Sequence, residues 1–472
     1  MGVVYDKVTC PVKHTGYVPV PLTRQTMQQH RQKVLQKMQM QNLDVLMVYA
    51  DREHGANFAY LTGFEPRFEE SVLVLHADGT CYLLLGNENL KMVNYSFIPA
   101  TAIHVPHFSL PNQPMGTEKT LDKLFCDAGI TNGQTIGCVG WKHFTSRLDD
   151  TENLIDIPAF IVDAVRKINR DGKLIHAAGV FLDSADGVRI VMNANEVAHY
   201  EYGAGLASAC VMDVLDAVEP GKTELELAAI MAPDGQPNNV TTICATGERF
   251  TDAIVFPRNK KVVLGDKFSV TLGLRGGLTS RAAYVVNSED ELPEEVKDYL
   301  DKVVCPYYKA AVTWYETVGI GVTGQELFDK VQEVLPKEKY NWVLNPGHYT
   351  GADEWVASPF FPGSTVTLQS GMLLQMDILP SVAGYGGANA EDGIVIADKY
   401  LREELQEHYP ETWKRMQVRR TYMKEVLNIN LREEILPLSD LCGYLRPYLL
   451  NRTWAMKKAP EGSGIQGRIH VS

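Results

Sequence analysis

The sequence lacks any uninterrupted apolar segment approaching about eighteen residues, which excludes a membrane-spanning helix. It lacks a CxxC pair. Its 8 cysteines are scattered, most of them in apolar segments such as Ile243-Cys244-Ala245, and this suits reduced, buried thiols in a cytoplasmic protein. It lacks a basic run that could follow a phosphate backbone, and the net charge is −13, so nucleic acid is not an expected partner. The first residues, Met1-Gly-Val-Val-Tyr-Asp-Lys7, carry no signal-peptide apolar core. Together these absences point to an acidic cytoplasmic globular protein, with neither nucleic acid nor a membrane as an expected partner.

What is present is material for more than one core. The chain has 472 residues, 45% of them hydrophobic, and two domains are expected. After a Pro-rich lead, Thr23 to Gln41 reads as an amphipathic helix and Asp44 to Tyr49 as a buried strand. Ser71–His76 and Thr80–Leu85 flank Asp78-Gly79, a hairpin signal. Residues 1–165 are thus expected to form an α/β domain, with 166–193 a linker of mixed charge. A helix is expected from about Asn195 to Val218, ended by Pro220-Gly221. Thr223-Glu-Leu-Glu226 and Thr323-Gly-Gln-Glu326 are capping boxes, each after a Gly-containing turn, and suggest an internal duplication. Residues 194–430 are expected to form the second domain and 431–472 a C-terminal extension, with a polar, partly disordered stretch from Gly462 to Ser472.

The candidate site lies between Asn345 and Ile396. His348 stands in Asn-Pro-Gly-His-Tyr-Thr-Gly, where small neighbours let a ligand approach the imidazole. Asp377 is the only charge between Gly371 and Tyr385, and an acid in so apolar a run needs a partner or a role. Glu391 precedes Asp392-Gly-Ile-Val-Ile. Each acid alone could be a strand-end hydrogen-bond acceptor. Their order and flanks resemble the second half of metallopeptidase family M24, the pita-bread fold of methionine aminopeptidase, Xaa-Pro aminopeptidase, prolidase and creatinase. Asn57-Phe-Ala-Tyr60-Leu-Thr-Gly63-Phe64 is similar to a segment in the N-terminal domain of its creatinase and prolidase subgroup. The resemblance covers about residues 25 to 430. It implies an α/β N-terminal domain, an α+β pita-bread C-terminal domain and a homodimer.

The same resemblance implies a metal site whose first half has changed. Gly265-Asp266 matches the family's lead-in, but Thr271 stands where its first metal Asp is expected and Leu278 where its second is. No acid lies between Lys267 and Ser288. Ile254 and Trp355 stand at the positions of two family histidines, and Asp377 where Glu is usual. A two-metal mechanism is therefore not expected, because bridging carboxylates must neutralise and space two ions. The first expectation is a metal-independent, creatinase-like hydrolase of a C–N bond in a small nitrogen-containing carboxylic acid. It would use no cofactor, with His348, Asp377 and Glu391 as catalytic residues. Arg281, Tyr349, Trp355 and, reaching across a dimer, Arg67 are the expected substrate-binding residues. As a purely structural alternative, Arg281 would pair with Asp392 or Glu391 and brace the sheet. Two alternatives for the protein remain: a catalytically silent binding module, and an Xaa-Pro dipeptidase or aminopeptidase with a single divalent ion at His348, Asp377 and Glu391.

Overall fold

The computed structural model describes residues 1–113, 119–249 and 251–460. The stretch from Gly462 to Ser472, expected to be partly disordered, lies outside the described residues. Fifteen strands are present among the described residues. They are β1 (Val3–Lys7), β2 (Val45–Ala50), β3 (Ser71–His76), β4 (Cys81–Leu85), β5 (Thr101–His104), β6 (Thr135–Val139), β7 (Lys173–His176) and β8 (Ile243–Thr246). After them come β9 (Lys267–Leu274), β10 (Gly277–Tyr284), β11 (His348–Tyr349), β12 (Leu373–Met376), β13 (Asn389–Ile396), β14 (Ile435–Pro437) and β15 (Trp454–Lys458).

The chain divides into two units, Leu22–Arg189 and Met1–Pro21 joined by the chain from Ile190 onward. In the first, a mixed six-stranded sheet runs β5-β4-β3-β2-β6-β7. Thr23 caps the helix Arg24–Met40 by accepting from the Thr26 N–H, which satisfies an otherwise orphaned first-turn amide. β3 and β4 form the expected hairpin around Gly79 (φ 88°), with Asp78 accepting from the Thr80 N–H at 2.8 Å. Val45, Met47, Val74, Phe125 and Ile161 are among the fully buried core residues of this unit.

The expected boundaries need three corrections. Residues 166–193 are not a linker: β7 is the parallel edge strand beside β6, and Val180 and Phe181 are buried. Its charged, half-buried edge hides the strand pattern in the sequence. The first 21 residues do not join the α/β unit, because β1 pairs with β15 and Tyr17 Oη donates to Asp440. Residues beyond 430 are not an appendage, because β14 pairs with β13 and both belong to the second unit.

In that second unit an antiparallel sheet runs β11-β12-β13-β10-β9-β8, with β14 on β13. The helix Ala194–Ala217 packs Val197, Tyr200 and Ala204 against Leu373 and Val395, burying apolar area on one face of the sheet. The two capping boxes are realised with the same bonds. In each, the Thr N–H and hydroxyl donate to the Glu carboxylate at 2.7 and 2.8 Å, and the Glu N–H donates back at 3.2 Å. The turns before them match as well. Gly221 N–H donates to Val262 O and Gly321 N–H to Leu368 O, both at 2.9 Å. This local unit therefore occurs twice in the chain, as the sequence suggests.

Candidate metal centre

The site is one row across the sheet. Thr271 on β9 faces Ser280 on β10, and Ser280 faces Glu391 on β13. The β12–β13 register, Met376 opposite Asp392, carries Asp377 to the position opposite Glu391. His348 on β11 faces Gln375, diagonal to Asp377. Because side chains alternate along a strand, these residues project from one face of the sheet. Asp392, next to Glu391, projects from the other.

The sequence dictates the close approach of β11. Gly347 has φ 123°, and a Cβ there would lie 2.4 Å from Gln375 O, so only glycine brings His348 against β12. The imidazole is fully buried, and its Nδ1 lies 3.1 Å from Tyr349 O, a bond that assigns the proton to Nδ1. In the neutral ring Nε2 then carries the lone pair. It lies 3.0 Å from Glu354 Oε1 and 4.0 Å from Asp377 Oδ2, with no aligned hydrogen bond, and Asp377 Oδ1 is also buried without a partner. Glu391 accepts from Asn389 Nδ2 at 3.4 Å. One donor atom from each of His348, Asp377 and Glu391 lies within 4.8 Å of the others.

These buried charges are electrostatically strained in the absence of a cation. Burial pushes the Asp377 carboxyl up to about 6, although the neighbouring His348 opposes the shift. Burial, with Asp377 and Glu354 adding repulsion, holds Glu391 well above the usual carboxylate range. Burial disfavours the His348 imidazolium, but Glu354 and Asp377 outweigh it and raise the histidine above its ordinary value. A ring nitrogen and two carboxylates with donor atoms within 4.8 Å of one another, Asp377 Oδ1 among them unpartnered, form a set that a divalent cation satisfies, since one nitrogen and carboxylate oxygens suit several such ions. The residues present therefore fit a single metal ion.

The positions on β9 and β10 do not fit a second ion. Thr271 Oγ1 and Ser280 Oγ lie 2.8 Å apart, and Asn389 Nδ2 donates to Ser280 at 3.1 Å, so neutral hydroxyls saturate one another there. The register also corrects the sequence assignment: Leu278 faces Gly273, and Ser280 is the residue opposite Thr271.

Of the expected substrate-binding residues, Trp355 is at the site, stacked on the His348 ring at 4.1 Å between centroids and 39% exposed. Arg281 is not available. All five of its N–H groups are engaged, by Tyr444 O, Ser280 O, Glu391 O, Leu441 O and the Asp392 carboxylate. Tyr349 points to the opposite face of β11, where its hydroxyl meets Met372 Sδ at 3.7 Å. Arg67 belongs to the other unit, where it donates to Arg52 O and Glu65. Sequence reasoning missed Glu354. The available signal was that Asp353 and Glu354 are the only charged residues between His348 and Asp377.

An α/β domain followed by an antiparallel sheet that presents one His and two acids from adjacent strands defines a pita-bread protein with a metallohydrolase-like pocket. Residues 198–398 match the model of "Metallopeptidase family M24". That match covers the part of the chain that holds the site. It is 25% identical over 228 residues to an Xaa-Pro dipeptidase of Pyrococcus furiosus, a match spanning 46% of this chain and 63% of that relative. Its fold is similar to a prolidase from Thermococcus sibiricus (TM-score 0.61, 18% identity, 79% of this chain and 95% of that one). It is also similar to an X-Pro aminopeptidase from Thermotoga maritima (TM-score 0.57, 16% identity, 78% and 95%). The expectation of a pocket that works without a cofactor is thereby overturned. The family is one of metallopeptidases, and three buried side chains that could hold a metal ion stand together in this chain.

Proposed function

We propose that this protein is a metal-dependent hydrolase of short peptides with proline after the first residue, with one divalent cation held by His348, Asp377 and Glu391. The observation that carries this reading is the convergence of His348 Nε2 and the two acids within 4.8 Å, with Nε2 and Asp377 Oδ1 unpartnered. A cation bound there supplies Lewis acidity toward the scissile carbonyl and acidifies water. The chain supplies the rest. The Tyr349 carbonyl fixes the histidine tautomer, and Asn389 orients Glu391. The Trp355 ring offers an apolar wall beside the imidazole, against which a flat five-membered ring can lie. The family resemblance supports a homodimer, which light scattering tests. A peptide substrate agrees with the acidic composition and with the lack of any helix, among the described residues, long and apolar enough to cross a membrane.

Hydrolysis of Xaa-Pro dipeptides in Mn²⁺, Co²⁺ or Zn²⁺, measured before and after chelation, tests the proposal. Activity that chelator removes and metal restores is expected. Metal-loaded protein that cleaves no Xaa-Pro peptide would favour the second reading, a silent module that binds such ligands. The hydroxyl pair Thr271–Ser280 at the positions of two family carboxylates supports that alternative.

A further inference from the structure

The ligand set seen in the sequence leaves one nearby charge without a role. Glu354 lies on the loop after β11, partly exposed, with Oε1 3.0 Å from the bare Nε2 of His348. A carboxylate oxygen facing an imidazole lone pair is repulsive unless a positive charge lies between them. With Nδ1 already donating to Tyr349 O, that charge is either a second proton on Nε2 or a cation held between the two groups.

The separations agree with this. Two donors each about 2.1 Å from one ion are about 3.0 Å apart at a right angle and about 4.2 Å apart when opposite. Glu354 at 3.0 Å and Asp377 at 4.0 Å from Nε2 both fall within that span. Glu354 is outside the trio whose donor atoms lie mutually within 4.8 Å, so sharing one ion with all three requires its side chain to turn toward the two acids. The loop is anchored directly after Glu354. Val356 N–H donates to Tyr349 O at 3.0 Å, and Trp355 stacks on the imidazole.

We propose that Glu354 is a fourth ligand of the cation held by His348, Asp377 and Glu391, a loop-borne carboxylate added where the β9 and β10 positions hold hydroxyls. The inference rests on the reading of this pocket as a metal centre. It gives a set of one imidazole and three carboxylates, against a neutral Thr271–Ser280 pair on the other side.

The test uses the full chain stripped of metal and titrated with Co²⁺, in native form and as Glu354→Gln and Glu354→Ala. Calorimetry reads the affinity, and visible absorption of the bound Co²⁺ reads its coordination. Both variants are expected to bind about 10- to 100-fold more weakly, with displaced d–d bands and an unchanged circular dichroism spectrum. Variants with native affinity would overturn the inference, and so would weaker binding with an unchanged Co²⁺ spectrum, which would put Glu354 outside the coordination shell. Native protein that binds no Co²⁺ would instead overturn the metal reading itself.

Discussion

Thr271 and Ser280 face each other across β9 and β10 with their hydroxyl oxygens 2.8 Å apart, in the same row as Glu391. Two anions in these positions would repel without a cation between them, whereas two hydroxyls satisfy each other. On the metal reading proposed above, that difference limits the pocket to one ion.

Replacing both, Thr271→Asp with Ser280→Asp, should raise the metal content from about one to about two equivalents, measured by inductively coupled plasma mass spectrometry. Both positions are buried, so the metal-free variant should melt lower than the native chain and recover on adding Mn²⁺. A variant that stays folded and still carries one equivalent would show that more than these two side chains limits the site.

Asp377→Asn separates stability from binding. Because its folded value is raised to about 6, burial of Asp377 favours the folded state at pH values below the unfolded carboxylate range, and that contribution is lost as pH rises through about 6. At pH 8 the metal-free Asn variant should therefore be about 2–3 kcal/mol more stable than the native chain, since each tenfold change in proton affinity is worth roughly 1.4 kcal/mol. The difference should vanish toward pH 4. Urea unfolding at the two pH values checks this, and a variant less stable at pH 8 would contradict it. With metal present the order should reverse.

Arg281 braces the back of the sheet rather than a substrate. Arg281→Ala leaves the buried Asp392 carboxylate uncompensated, although Thr279 and Ser439 still donate to it. A loss of about 3–5 kcal/mol is expected. Chemical denaturation measures it. A fully stable variant with a raised KM would return Arg281 to substrate binding.

Metal should stabilise the fold by linkage. At free Mn²⁺ 100-fold above its Kd, the gain is about 2.7 kcal/mol, seen as a higher melting temperature that chelator reverses. His348→Ala should abolish that gain, and a variant that keeps it would place the ion elsewhere.

Trp355→Ala removes the ring stacked on His348. It should raise KM for a prolyl substrate several-fold and leave the metal stoichiometry unchanged, which steady-state kinetics with metal analysis can separate.

Local chemistry was legible in the sequence. Asp78-Gly79 and the two capping boxes act through bonds to residues two or three positions away, and each formed as expected. His348, Asp377 and Glu391 could be named because an isolated polar group in an apolar run is costly to bury without a purpose. The sequence by itself pointed to the two domain types, the family resemblance and three of the side chains that meet in the pocket. Tertiary structure decided everything that depends on register and face. It put Ser280, not Leu278, opposite Thr271, and turned Arg281 and Tyr349 away from the pocket. It also brought Glu354, remote from both acids in sequence, against His348, and returned residues 1–21 to the unit formed by the C-terminal half. Strand register changes which face a side chain occupies with every single-residue shift, and no local pattern in one strand reports the alignment of its neighbours.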